Sequence, residues 1–219
     1  MSLGTLYLNA TSPRSTIFQD VVNYLKLDLE VKLKSDTPNY TELFPLGKTP
    51  AFITPENVKF HELLAVLPYV LNHAGKEGQD LLAKTEIEKA QVMSFLSFFN
   101  MDLMTAATKP FLTLIGYMPY NEAVITQSLK DLDVCFTYLD GILAKSKYFT
   151  NSEAPNIADF FFVRLMSMLS KSLYSEECVA KFPHIGKLVE DVANNFEFTK
   201  SLKGIKPNPN TVTFDAFSK

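Results

Sequence analysis

The chain has 219 residues, of which 47% are hydrophobic and 21% are charged, values typical of a soluble globular protein with one sizeable domain or two small ones. Its formal net charge is -3 and its pI is about 5.7, so no global positive field would draw it directly to nucleic acid or to an anionic membrane. Neither a secretory signal nor a bilayer-spanning stretch is visible, so the expected compartment is the cytoplasm.

The N-terminal part predicts a strand, a helix and a second strand. Residues 6–8 form a short strand candidate, and the turn-prone residues 9–13 place Pro13 in the first turn of a helix. The helix is indicated by apolar residues at helical spacing, namely Ile17, Val21, Val22 and Leu25. Apolar and charged residues then alternate over 27–33, which predicts a strand with one buried face. A βαβ unit of this length requires a parallel strand pair.

Residues 44–52, which read FPLGKTPAF, contain a proline that opens an apolar run. Pro50 lacks the N–H that a strand interior needs, so it should begin a strand or lie on an edge. The bond before a proline can also adopt the cis form at low cost, which would turn the N–H and C=O of Thr49 outward toward an extended ligand. An ordinary turn before a hairpin is the alternative for an isolated Lys-Thr-Pro.

Two short strands and a helix follow this proline. Residues 50–54 and 58–60 suit an antiparallel hairpin. A helix over 62–74 closes the unit, and Pro68 should kink or break one of its turns.

The remainder of the chain predicts helices only. Residues 75–80 (GKEGQD) are the compositional break that suggests a linker. Helical periodicity follows over 87–107, 129–143 and 186–193. Asn156 and Asp159 form a capping-box variant before a strongly apolar, centrally buried helix, so Asp159 is interpreted as a capping residue. The tail after residue 210 is expected to be poorly ordered or packed as a surface strap.

Several motifs resemble one known superfamily. Residues 47–52 followed by 60–62 (FHE) resemble the glutathione-binding half of the glutathione transferase superfamily, with its cis-proline and Glu-Ser helix start. Residues 109–111 (KPF), 116–121 (GYMPYN) and 4–9 (GTLYLN) are similar to the transferase-like N-terminal domain of translation elongation factor 1 gamma, fungal type. Together these stretches are spread over most of the chain.

The resemblance implies the glutathione transferase fold, an α/β N-terminal thioredoxin-like domain plus an all-α C-terminal domain. On this prediction residues 1–75 form the thioredoxin-like, glutathione-site domain, 76–84 the linker and 85–219 the helical domain. It also implies a cis bond between Thr49 and Pro50.

The resemblance further implies a binding site for glutathione. The main chain of Thr49, beside Pro50, would pair with the cysteinyl part, Lys48 would face the glycyl carboxylate, and Glu62 would receive the γ-glutamyl ammonium. A tripeptide with two carboxylates and one ammonium needs such a cation, anion and extended edge. Arg14 could face the anionic tripeptide, although a solvated arginine at a helix start is an equal alternative.

One position departs from the family pattern. Where the family usually has Ser or Thr after the glutamate, to bind the γ-glutamyl carboxylate, this chain has Leu63. Loss of a hydroxyl partner for a charged group is expensive. The departure therefore favours the elongation-factor branch and weaker glutathione binding.

The family's catalytic group lies at the end of the first strand and stabilises the glutathione thiolate. The candidates here are Ser12 and Thr11, with Tyr7 and Ser15 behind them. Ser12 followed by Pro13 is also the ordinary pattern of a helix N-cap with proline at the first helical position.

Three functions are compatible with this fold. The first is a scaffold that holds the nucleotide-exchange subunit of elongation factor 1 and forms a homodimer. The second is an active glutathione transferase. A thiol-disulfide enzyme is the weakest, because no cysteine lies near the first helix. No cofactor or metal is expected, since the cysteines and histidines lack ligand spacing, and glutathione is a possible ligand or substrate.

Overall fold

The structure is a computed structural model that describes residues 2–210 and 212–214. The chain divides into two compact units, Met1–Met93 and Ser94–Lys219. The first contains strands β1 (Thr5–Leu8), β2 (Glu30–Leu33), β3 (Ala51–Ile53) and β4 (Lys59–His61), and helices α1 (Pro13–Leu25), α2 (Tyr40–Leu43), α3 (Leu63–His73) and α4 (Gly75–Leu82). Helix α5 (Glu86–Phe98) begins in the first unit and ends in the second. The second contains α6 (Met104–Leu114), α7 (Glu122–Leu143), α8 (Ile157–Leu169), α9 (Glu176–Lys181) and α10 (Pro183–Asn195).

The four strands form one mixed sheet in the order β2-β1-β3-β4. Strand β1 is parallel to β2, and β3 is antiparallel to both β1 and β4. The predicted βαβ unit and the hairpin are confirmed, and with them the thioredoxin-like order of elements. Strand β2 begins later than the alternation over 27–33 predicted.

Strand β1 is central and is covered on both faces. Successive strand residues point to opposite faces, and Leu6, Tyr7 and Leu8 are all buried. Tyr7 packs with Tyr40, Phe44 and Ala51. Helices α1 and α3 contact each other, and their fully buried residues include Ile17, Phe18, Val21, Leu63, Val66, Leu67, Val70 and Leu71. The hydrophobic effect of this burial holds the sheet and helices together.

The segment predicted as a linker is largely helical. Residues 75–82 form α4, and Gly78 explains why a glycine-rich sequence does so. A Cβ added at Gly78 would collide with the main-chain carbonyl of Leu71, so the glycine permits close packing of α4 on α3. Helix α3 itself continues through Pro68, without the predicted break.

The helix predicted over 87–107 is divided into three parts. Helix α5 ends at Phe98, a π-helix covers Phe99–Leu103, and α6 follows from Met104. The spacing of apolar residues does not reveal this division, because apolar residues recur every three or four positions throughout.

No helix in the described part of the chain combines the length and the hydrophobicity that a membrane span requires.

The capping box of α8 is confirmed. Asn156 Oδ1 accepts the N–H of Ala158 at 3.0 Å, and Asp159 Oδ2 accepts the N–H of Asn156 at 2.9 Å. Asp159 Oδ1 also accepts the N–H of Phe149 at 3.0 Å. Helix α8 is buried over nearly its whole length, as its uniformly apolar sequence predicted.

The segment just before the predicted tail is bound to the helical unit. The N–H of Asn208 donates to the carbonyl of Tyr174 at 2.8 Å, and the carbonyl of Asn208 accepts the N–H of Glu176 at 2.9 Å. Residues 94–210 and 212–214 contain no strand, only an isolated bridge between Ser175 and Asn208. The predictions for residues 211 and 215–219 lie outside the described residues.

Candidate functional site

The bond between Thr49 and Pro50 is cis, as predicted. The carbonyl of Pro50 accepts the N–H of Glu62 at 3.2 Å, which fixes the start of β3 to the end of β4. Among the described residues no hydrogen bond is recorded for the main-chain N–H or C=O of Thr49. These two groups provide an edge with which an extended ligand could pair.

Two residues that sequence reasoning missed hold the loop before this edge. The hydroxyl of Tyr40 donates to the carbonyl of Lys48 at 2.6 Å. Lys34 Nζ donates to the carbonyl of Gly47 at 2.6 Å and lies 5.6 Å from the centroid of the Tyr40 ring. Burial raises the pKa of Tyr40 to about 12, and nearby Tyr7 adds to the increase, so Tyr40 stays a neutral donor. The sequence signal that could have indicated this support was Tyr40, an aromatic residue within the otherwise polar segment 36–43.

Glu62 caps the N-terminus of α3 in an uncommon backbone conformation. Its φ is 80° and its ψ is 138°, a region that L-residues rarely adopt. Its carbonyl accepts the N–H groups of Ala65 and Val66 at 3.1 and 2.9 Å, while its side chain is 60% exposed. The backbone is therefore fixed and the carboxylate is accessible to a ligand.

Leu63 contributes only its main chain to this edge, because its side chain is fully buried in the core. No acceptor is recorded among the described residues for the N–H groups of Leu63 and Leu64. Free N–H groups at a helix N-terminus favour an anion. The N–H groups of Leu63 and Leu64 are thus main-chain donors that a carboxylate could use.

Arg14 lies in the first turn of α1 and within electrostatic reach of Glu62. Burial lowers the pKa of Arg14, and the Glu62 carboxylate opposes that change. The structure therefore brings a guanidinium and a carboxylate to the same site. Lys48 is exposed in the neighbouring loop.

The candidate hydroxyls differ in their hydrogen bonds. Asn9 Oδ1 accepts both the N–H and the hydroxyl of Thr11, at 2.9 and 3.0 Å. Ser12 is the N-cap of α1 but its side chain makes no capping bond. Ser15 is buried and donates to the hydroxyl of Thr49 at 3.3 Å, and Tyr7 is buried in the sheet. Ser12 is the candidate whose hydroxyl is available, whereas that of Thr11 is engaged.

His61 is a further polar residue that sequence reasoning left as a surface or packed histidine. Its Nδ1 is buried and has no hydrogen-bond partner among the described residues. The same atom lies 3.3 Å from Glu62 Oε1, so the two side chains are close but not aligned for a hydrogen bond.

Known proteins similar to this chain fall into two groups. The chain is 32% identical over 201 residues to elongation factor 1-gamma 2 of Saccharomyces cerevisiae, covering 88% of this chain and 47% of that protein. It is 33% identical over 170 residues to glutathione S-transferase Y-2 of Pichia kudriavzevii, covering 77% of this chain and 84% of the relative. The chain thus spans about half the length of the elongation-factor relative. No protein-family model matches it.

Solved structures agree with both groups. The GST-like domain of elongation factor 1-gamma from Saccharomyces cerevisiae matches with a TM-score of 0.80 and 25% identity, covering 95% of this chain and 100% of that one. A glutathione S-transferase from Pichia kudriavzevii matches with a TM-score of 0.70 and 27% identity, covering 88% and 92%. The predicted glutathione transferase fold is therefore confirmed, and the chain belongs to the glutathione S-transferase family.

Proposed function

We propose that the chain is an assembly module of the elongation factor 1-gamma type, which holds the nucleotide-exchange subunit of elongation factor 1 during protein synthesis. The observation that carries this proposal is the similarity to elongation factor 1-gamma 2 over 88% of the chain. The match to the complete GST-like domain of the yeast factor supports it. A role in protein synthesis places the chain in the cytoplasm.

Glutathione is a secondary, weak ligand in this proposal. Thr49 offers an extended edge, Glu62 an exposed carboxylate, and Lys48 and Arg14 positive charges. Leu63 supplies no side-chain donor, because it is fully buried. A missing hydrogen bond to a charged group is worth about 1.5–3 kcal/mol, or roughly ten- to a hundredfold in affinity. Partial binding is the expected result.

Self-association is the other part of the proposal, and the exposed face of α5, the π-helix and α7 supports it. Met101, Val134 and Tyr138 are large hydrophobic residues exposed on this face. A groove of about 830 Å³ crosses it and includes Lys109, Asp102 and Asp131 among its lining residues. In an isologous dimer the same patch contacts itself, so charges on that patch are complementary only when both signs are present. The apolar side chains and the two signs of charge on this face therefore fit a second copy of the chain.

The experiment for the module combines two titrations. The nucleotide-exchange subunit of Saccharomyces cerevisiae elongation factor 1 is titrated into the purified chain by calorimetry, and glutathione is titrated separately. We expect saturable binding of the subunit and weak binding of glutathione. Failure to bind the subunit, together with micromolar glutathione affinity and conjugation of electrophiles at ordinary enzyme rates, would replace the proposal with an active transferase.

Self-association is tested by sedimentation velocity. Val134→Glu places a charge on the proposed face and should shift a dimer toward monomer. Glu122→Gln, on the same helix but outside the groove, is the matched control. A chain that sediments as a monomer at all concentrations would contradict a homodimer.

An active glutathione transferase is the second candidate, and the Ser12 hydroxyl, which makes no capping bond to α1, favours it. A hydroxyl near the ligand thiol stabilises the thiolate by donating a hydrogen bond. Conjugation of glutathione to 1-chloro-2,4-dinitrobenzene tests this candidate. Any activity should fall in Ser12→Ala and persist in Thr11→Ala, because the Thr11 hydroxyl is already bound to Asn9.

A further inference from the structure

His61 and Glu62 are adjacent residues whose backbones are held by different contacts. His61 ends β4 and is paired with Ala51 in the sheet. The N–H of Glu62 donates to the carbonyl of Pro50 at 3.2 Å. Rotation of the two side chains alone would therefore bring the His61 imidazole and the Glu62 carboxylate into a direct hydrogen bond.

His61 Nδ1 is a buried polar atom that has no hydrogen-bond partner in the part of the chain that the structure describes, and it lies 3.3 Å from Glu62 Oε1. Such atoms are rare in folded proteins because removal from water is costly when no bond replaces it. The Glu62 side chain is 60% exposed and its carboxylate has two oxygens with several acceptor sites. One oxygen can accept Nδ1–H while the other accepts a ligand ammonium.

Arg14 of α1 is a charged group that also acts on Glu62. A guanidinium competes with a ligand ammonium for the same carboxylate, since both are cationic donors. A donor fixed beside Glu62 would counter this competition by holding one carboxylate oxygen in place. Hydrogen bonds of this kind are often poorly aligned before ligand binding and shorten in the complex.

We propose that His61 is a positioning residue for Glu62: its Nδ1–H binds the Glu62 carboxylate and orients it toward the ammonium of a γ-glutamyl ligand. The proposal rests on the weak glutathione binding proposed above. The positioning role adds His61 to the site, and its effect on ligand affinity depends on the ammonium group of the ligand. His61 itself makes no contact with the ligand in this arrangement.

Three variants separate positioning from packing. In His61→Asn the side-chain amide nitrogen can occupy the place of Nδ1, whereas His61→Gln carries its amide farther from the backbone, and His61→Leu keeps bulk without a donor. Glutathione affinity is measured by calorimetry for each variant and for the unmutated chain. Thermal unfolding midpoints identify any variant that is not folded at the assay temperature.

A second ligand makes the test specific. In glutaryl-cysteinyl-glycine the γ-glutamyl ammonium is replaced by hydrogen while the neighbouring carboxylate is kept, so the ligand cannot use an oriented Glu62. We expect glutathione affinity to fall about three- to tenfold in His61→Leu and His61→Gln and to stay within about twofold in His61→Asn. The affinity for glutaryl-cysteinyl-glycine should be the same in all four proteins.

The outcomes distinguish this proposal from the one on which it rests. Equal glutathione affinities in all four proteins, equal losses in His61→Asn and His61→Leu, or a parallel loss for the glutaryl ligand would overturn the positioning role alone. If the unmutated chain binds no glutathione, the proposed weak binding fails and the role of His61 fails with it.

Discussion

The hydroxyl of Ser15 donates a hydrogen bond of 3.3 Å to the hydroxyl of Thr49. Ser15 lies in the first turn of α1, and Thr49 supplies the free main-chain edge before β3. The bond therefore joins the helix that carries Ser12 and Arg14 to the loop that carries Lys48. Residues distant in sequence are held in one site by this contact.

Removal of this contact should lower the stability of the first unit. Ser15→Ala leaves the Thr49 hydroxyl without its donor, and Thr49→Val leaves the Ser15 hydroxyl without its acceptor. Each variant should lower the free energy of unfolding by about 0.5–1.5 kcal/mol. Urea denaturation of both variants and of the double variant measures the coupling. Strict additivity of the two changes would show that the hydroxyl bond contributes nothing.

Tyr40→Phe should loosen the loop of Lys48. The variant removes the 2.6 Å bond to the Lys48 carbonyl and keeps the ring packed on Tyr7. We expect a loss of about 1 kcal/mol in stability and a weaker glutathione affinity. Tyr138→Phe, which alters an exposed tyrosine, is the control. Unchanged stability in Tyr40→Phe would contradict the supporting role given to its hydroxyl.

Asp159 should make stability depend on pH. Burial raises its pKa from 3.8 to about 6, although N–H groups of Asn156 and Phe149 oppose the increase. The folded state therefore binds the proton more tightly than the unfolded state, and this carboxyl's contribution to stability falls as pH rises from about 4 through about 6. The difference between 3.8 and about 6 corresponds to about 3 kcal/mol.

The measurement for Asp159 is denaturant unfolding of the parent and Asp159→Asn between about pH 4 and pH 7. The parent's stability relative to the variant should decrease across this interval. Asp28→Asn alters an exposed aspartate and serves as the control. A relative stability that rises with pH would mean that the N–H donors outweigh burial.

Leu63→Ser tests whether the missing hydroxyl weakens glutathione binding. The variant should also lower stability, because Leu63 is buried, and the sequence alone did not indicate this loss. Removal of this fully buried side chain should lower stability by about 2–5 kcal/mol. Sequence reasoning predicts stronger glutathione binding for the same variant. Leu63→Ala creates a similar cavity without a hydroxyl, so a gain in calorimetric affinity confined to Leu63→Ser would isolate the hydroxyl. Equal affinities in both variants would contradict that prediction.

Local patterns predicted most of the fold because each had a direct physical cause. The alternation near β2, the proline before β3 and the Asn156–Asp159 capping pair depend on neighbours within a few residues. Helix α4 escaped prediction because the composition of residues 75–80 suggested a linker, while Gly78 permits close contact with Leu71. That role depends on the position of another helix, which composition does not report.

The candidate site was predictable only in part for the same reason. The resemblance indicated Thr49, Pro50 and Glu62, whose contact through the Pro50 carbonyl is now visible. The supports from Tyr40 and Lys34 involve side chains that reach main-chain carbonyls several residues away. Neither donor belongs to a sequence motif, so neither could be found before the loop's conformation was known.

The backbone conformation of Glu62 lowers the stability of the chain, while the carboxylate of the same residue serves ligand recognition. A non-glycine residue at φ 80° and ψ 138° is strained by about 1–3 kcal/mol, and glycine would relieve that strain. A laboratory selection for heat resistance alone would therefore enrich Glu62→Gly and lose the carboxylate. Thermostable descendants of this chain should be screened for ligand affinity at each round, because this stabilising substitution would also remove the anion of the site.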